Sequence, residues 1–166
     1  MSPSEGPSQR TETFRPERDA LLLDAMLGKL TTYLRMCGYD AAYTLDEGVE
    51  ADDAVLGLAR REGRTLLTRD RSLAARADES VLLSERAVRD QLRELAAAGF
   101  RLRLTDEPTR CGTCNAPLER VATDERTPAY APDPQAVAVW RCPACGQHFW
   151  RGSHWADVAE TLAAVR

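Results

Sequence analysis

Hydrophobic positions first gather at Ala20–Leu23, four consecutive apolar residues that stop at Asp24. A short unbroken run of this kind predicts a strand buried on both faces. From Met26 the period changes: Leu27, Leu30, Tyr33, Leu34 and Cys37 recur at helical spacing, and Gly38 supplies a left-handed stop. A strand over 41–45 follows. Asp52 then opens a second helix, with Val55, Leu56, Leu58 and Ala59 along one side and Gly63 at its end. Thr65–Thr68 is another buried run, and it ends in Arg69, Asp70 and Arg71. A short helix over 72–77, a strand over 81–83 and a helix over 87–98, stopped by Gly99, continue the series.

Regular alternation of strand and helix implies an α/β fold: a parallel sheet with helices packed on it. In such sheets the functional crevice lies beyond the carboxyl ends of the strands, where Asp24 and Asp70 both fall. After Leu104 the pattern changes to turn-rich sequence with one strand-like segment, AVAVW. The last piece reads as a helix with Val158, Leu162 and Val165 on one face. The chain therefore divides into a flexible, Ser-, Pro- and charge-rich tail over 1–18, an α/β domain over 19–106, a small module over 107–152 and a terminal helix over 153–166.

Composition narrows the function. At 166 residues with 43% hydrophobic content the chain can build one packed core and a small appendage. It has no run of about 18 apolar residues to span a membrane, and residues 1–20 lack the basic-then-apolar order of a signal peptide, so a cytoplasmic location is expected. The net charge of -4 provides no global attraction for a polyanion, so any contact with nucleic acid must be local. Gly-rich phosphate loops, a GxSxG elbow and a GxGxxG fingerprint are all missing.

Four of the five cysteines form two knuckles, Cys111-Gly-Thr-Cys114 and Cys142-Pro-Ala-Cys145. Paired CxxC motifs in a chain without a secretory signal predict one tetrahedral Zn²⁺, and four thiolates close its shell, so the ion is structural. His148 and His154 are not needed as ligands. Arg110, Arg120, Arg141 and Arg151 with Trp140, Phe149, Trp150 and Trp155 could serve binding of nucleic acid, by stacking, or of protein, though docking of the module onto the α/β domain is the stronger expectation for the aromatics. Cys37, on an apolar helical face, reads as a small core residue.

Asp24 and Asp70 gain a third acid if helical phase is followed. At about 100° per residue Asp52 falls in the sector of Val55, Leu56 and Ala59 and is expected to point inward, while Asp53 projects toward Arg60. Clustered carboxylates repel one another, and a divalent cation, Mg²⁺ or Mn²⁺, relieves that repulsion. Such an ion can activate water for phosphodiester hydrolysis without a side-chain nucleophile. A phosphoaspartate route through Asp24 ranks lower, because Met26 stands where a second acid would be.

LLLDAMLGKLTTYLRMCGYD, the acid at Asp52, GRTLLTRDRSL, and then RCGTCN with RCPACGQHFWRGSHW together resemble the PIN-like ribonuclease domain at the C-terminus of the Mut-seven exoribonuclease family, over about 20–157. The resemblance implies a three-layer PIN-like α/β/α fold, divalent-metal-dependent RNA cleavage and a fused zinc ribbon. By position it assigns Asp24, Asp52 and Asp70 to the catalytic metal site, with Asp53 as an adjacent substitute. A further acid, from Asp46, Glu47 or Glu50, leaves one metal or two open. Lys29, Arg35, Arg69 and Arg71 are the candidate RNA-binding residues; Arg69 and Arg71 either meet phosphates or neutralise the acids. The rival reading is a non-catalytic RNA- or ribosome-binding adaptor that uses the ribbon.

Overall fold

The computed structural model describes residues 12–166. Four parallel strands form the central sheet in the order β2-β1-β3-β4, with β1 at Ala20–Leu23, β2 at Asp40–Tyr43, β3 at Thr65–Thr68 and β4 at Ser80–Leu82. The helices are α1 (Gly28–Met36), α2 (Asp52–Glu62), α3 (Arg71–Arg76), α4 (Val88–Ala97) and α5 (Ser153–Val165). Successive side chains of a strand point to opposite faces, so each strand feeds two cores. Leu21, Leu23, Ala41 and Leu67 join Leu30, Leu34, Leu92, Leu95, Val158 and Leu162 on one face. Leu22, Ala42 and Leu66 join Val55, Leu56, Ala59 and Leu73 on the other. The result is the expected three-layer arrangement, with α1, α4 and α5 on one side and α2 and α3 on the other.

That layering sets the position of the crevice. From β1 the chain leaves through α1 toward β2, and from β3 it leaves through α3 toward β4 on the opposite face. Connections diverge between β1 and β3, which is the switch point where open α/β sheets place their sites. The α1 stop is as expected: Gly38 adopts φ +93°, while the amides of Gly38 and Tyr39 donate to the carbonyls of Arg35 and Leu34.

Two expectations need correction here. The tail assigned to 1–18 packs against the fold from residue 12 onward, through Phe14; residues 1–11 lie outside the described range. Phe14 is buried, stacks on Phe100 with ring centroids 4.1 Å apart, and accepts a 2.9 Å hydrogen bond from the Tyr39 hydroxyl at its carbonyl. A lone aromatic in polar surroundings has no periodicity to reveal it. The second correction concerns Arg35, expected to face RNA. It is 3% exposed, donating through Nε to the Ala41 carbonyl at 2.8 Å and through Nη1 to the Gly112 carbonyl at 3.0 Å. Burial lowers its pKa, and the nearby Asp46 carboxylate, 3.5 Å away, opposes that shift.

Arg35 belongs to a clamp between the layers and the small module. That module carries a three-stranded antiparallel sheet, β5 (Glu119–Arg120), β6 (Val139–Arg141) and β7 (His148–Trp150). β2 is an edge strand, whose outward amides would otherwise be open to another chain. The Ala41 amide donates to Asn115 Oδ1 at 3.0 Å, and Asn115 Nδ2 donates to Asp40 Oδ1 at 2.7 Å. Arg64 Nη1 meets the same Asp40 oxygen at 2.8 Å. Trp140 is buried, with the guanidinium groups of Arg120 and Arg151 at 5.1 and 5.6 Å from its ring centroid.

Candidate active site and metal centre

Asp24 follows β1 and Asp70 lies two residues beyond β3, so the parallel register brings both to one end of the sheet. One side chain connects them. The buried Thr68 hydroxyl donates to Asp24 Oδ2 at 2.7 Å and accepts from the Asp70 amide at 3.0 Å. Asp24 Oδ1 accepts from the Ala25 amide at 2.8 Å, and Asp70 Oδ1 accepts from the Leu73 amide at 3.0 Å as the cap of α3. Ionised carboxylates offer about four acceptor sites each. These bonds orient both groups and leave lone pairs free, a donor set suited to a hard cation that retains most of its water.

Asp52 is not turned into the core as helical phase led one to expect. It is exposed, as are Asp53 and Ala54, and burial along α2 begins only at Val55. Helical phase gave its direction around the axis, but the first turn has no layer beneath it to bury it. Asp53 pairs with Arg76 at 2.5 Å. Asp46, Glu47 and Glu50 are also exposed. Among the described residues, the four cysteines are the one group of three or more potential ligands within metal-binding reach of one another.

The basic residues separate into roles. Lys29 and Arg71 are exposed; Arg69 is half-buried, with Nη2 3.5 Å from the Ser84 carbonyl and Nε unpartnered. Among the described residues neither Arg69 nor Arg71 forms an ion pair with a carboxylate.

Cys111, Cys114, Cys142 and Cys145 place their sulfurs within 4.8 Å of one another, with contacts of 3.6 Å between Cys111 and Cys145 and 3.5 Å between Cys114 and Cys142. A tetrahedron with Zn–S bonds of about 2.3 Å has edges near 3.8 Å, so this set is positioned to hold one metal ion and fits zinc. Cys37, by contrast, is buried among apolar side chains, and burial pushes its thiol up to about 12.

A cavity opens near Ala25, though neither Asp24 nor Asp70 lines it. It has a volume of about 600 Å³ and runs between α1 and the β7–α5 corner of the small module. Tyr43 connects the two regions, since it lines the cavity while its hydroxyl donates to the carbonyl of Ala25, the residue after Asp24. Phe149, Trp150 and Trp155 form the far wall and are only partly buried. Thr68, Asn115 and this cavity were not anticipated as functional. The first two are neutral residues beside Asp70 and Cys114, with no chemical signal of their own in the sequence.

Neither a curated protein nor a solved structure matches the chain. The family model described as the Mut7-C RNAse domain matches residues 19–162, from the first strand through most of α5. With the parallel three-layer core, the acids at its switch point and the four-cysteine cluster all inside that span, the chain belongs to the Mut7-C RNAse domain family.

Proposed function

We propose that the protein is a metal-dependent ribonuclease that hydrolyses RNA phosphodiester bonds at the crevice between β1 and β3. The observation that carries this reading is the Asp24–Thr68–Asp70 linkage at the switch point of a chain whose family is a ribonuclease family. Asp24 and Asp70 would hold one Mg²⁺ or Mn²⁺, for which one or two carboxylates and the substrate's phosphate oxygens suffice. When bound, such an ion activates water and offsets the charge developing on the phosphodiester. Thr68 keeps both carboxylates in register, and the free guanidinium of Arg71, with Arg69, meets the RNA backbone. Lys29 adds positive charge from α1. The proposed ligand set leaves out Asp52 and Asp53, both exposed at the start of α2. The cysteine cluster would carry one Zn²⁺ with a closed shell and no catalytic part.

Labelled single-stranded and structured RNAs, incubated with Mn²⁺ or without added metal, test the reading beside Asp24→Asn and Asp70→Asn. Cleavage that depends on Mn²⁺ and falls by at least about 10²-fold in both variants is expected. Absence of cleavage in the wild type, with RNA binding intact, would favour the adaptor reading, to which the exposure of Asp52 lends some weight.

A further inference from the structure

We infer that the cavity between α1 and the β7–α5 corner is a pocket for unpaired nucleobases of the RNA strand bound at the acids; the inference rests on the ribonuclease reading and deepens it. Three observations carry it. The cavity lies close to the acidic crevice, because Tyr43 lines it and donates through its hydroxyl to the Ala25 carbonyl next to Asp24. A strand whose phosphate lies at Asp24 therefore has the cavity within reach of its neighbouring base.

The second observation is the lining. Phe149, Trp150 and Trp155 offer aromatic faces, with Arg110, Thr32 and His154 as polar groups between them. Every base has a π-face and polar edges, so a wall of partly exposed rings set among hydrogen-bonding groups suits a base better than an aliphatic ligand. Its volume of about 600 Å³ admits a nucleotide or two, whereas a duplex, with its bases stacked inward, cannot enter.

The third is that Trp150 has a place made for it. A Cβ added at Gly152 would lie 2.6 Å from Trp150 Nε1 and 3.0 Å from Cδ1, so any larger residue would push the indole away. The GSHW segment thus holds one ring against its own backbone and presents a second, Trp155, from the first turn of α5. Trp140 of the same module, by contrast, is buried, with two guanidinium groups 5.1 and 5.6 Å from its ring centroid.

The test uses the full zinc-loaded chain and a fluorescent 2′-O-methyl oligonucleotide, which resists hydrolysis, with binding read by anisotropy. Single strands should bind and the matching duplex should bind much more weakly. Trp150→Leu and Trp155→Leu should each weaken single-strand binding by about tenfold, whereas Trp150→Phe and Trp155→Phe, which keep a ring, should stay within about threefold of wild type. Should the Leu variants lose zinc, photocrosslinking of a 4-thiouridine strand to the unaltered protein decides: adducts within residues 149–155 support the pocket, and adducts confined elsewhere overturn it. Equal binding by Leu variants that retain zinc, or equal affinity for duplex, also overturns it. Cleavage with ring-independent binding would remove the pocket and leave the nuclease, whereas ring-dependent binding without cleavage would remove the nuclease and leave the pocket.

Discussion

Thr68 is fully buried, and its single hydroxyl serves both acids at once, donating to Asp24 and accepting from the backbone of Asp70. Thr68→Val keeps the shape and removes that oxygen, so the Asp24 carboxylate keeps only the Ala25 amide as donor and the Asp70 amide loses its acceptor. Groups that orient metal ligands typically govern about 10- to 100-fold in affinity or activity. We expect Thr68→Val to lower cleavage by that factor and to raise the Mn²⁺ concentration needed for half-maximal rate, measured by titrating Mn²⁺ against initial rate. An unchanged Mn²⁺ dependence would show that the hydroxyl does not position the acids. At this scale the sequence was informative where a residue ended a buried strand: Asp24 and Asp70 could be placed at one crevice from the apolar runs before them. It misled where placement depended on what lay beneath, as for Asp52 at an uncovered first turn and for Arg35, whose burial comes from Gly112, distant in sequence.

Asn115 governs the next scale, the seating of the small module on the edge of β2. Its backbone sits at φ +75°, and its amide group bonds both the Ala41 amide and the Asp40 carboxylate. Asn115→Gly retains the left-handed backbone while deleting both side-chain bonds, so it isolates the clamp from the turn. The loss should be roughly 1–3 kcal/mol, since Asp40 is left with one fewer donor and Ala41 with an unpaired edge amide. Acid titration gives a second readout. Burial pushes the Asp40 pKa up, but Arg64 and Asn115 outweigh it and hold the carboxyl below its ordinary value. Its contribution is therefore present above about pH 4 and is lost as pH falls through the lower, folded value. Denaturant melts below pH 4 should show that acid-dependent loss shrinking in Asn115→Gly; equal acid sensitivity in the two proteins would exclude the clamp. The strands and helices of the α/β layers and α5 were legible from period to within two residues, but β5, β7 and the clamp were not. The clamp's partners are about 75 residues apart and lack any shared pattern.

The molecule as a whole depends on a splice. The small module is inserted between α4 and α5, yet α5 returns to the first core through Val158, Leu162 and Val165. The intervening loop is closed whether or not the module is folded, and loop-closure entropy changes only slowly with length. Removal of zinc should therefore release the module without unfolding the layers. Four thiolates hold a segment with little apolar core of its own, so chelation should free about one Zn²⁺ per chain, abolish the near-ultraviolet signal of Trp140 and uncover the β2 edge. Thermal melts should shift down by the roughly 2–5 kcal/mol that the Asn115 and Arg35 contacts supply, while most of the far-ultraviolet signal persists. RNA affinity should fall as well, because Phe149, Trp150 and Trp155 leave the cleft. Readdition of Zn²⁺, without Mn²⁺, should restore affinity but not cleavage, separating the structural ion from the catalytic one. If stoichiometric zinc loss left the melt, the tryptophan signal and the affinity unchanged, the cysteine cluster would have no part in holding this face together.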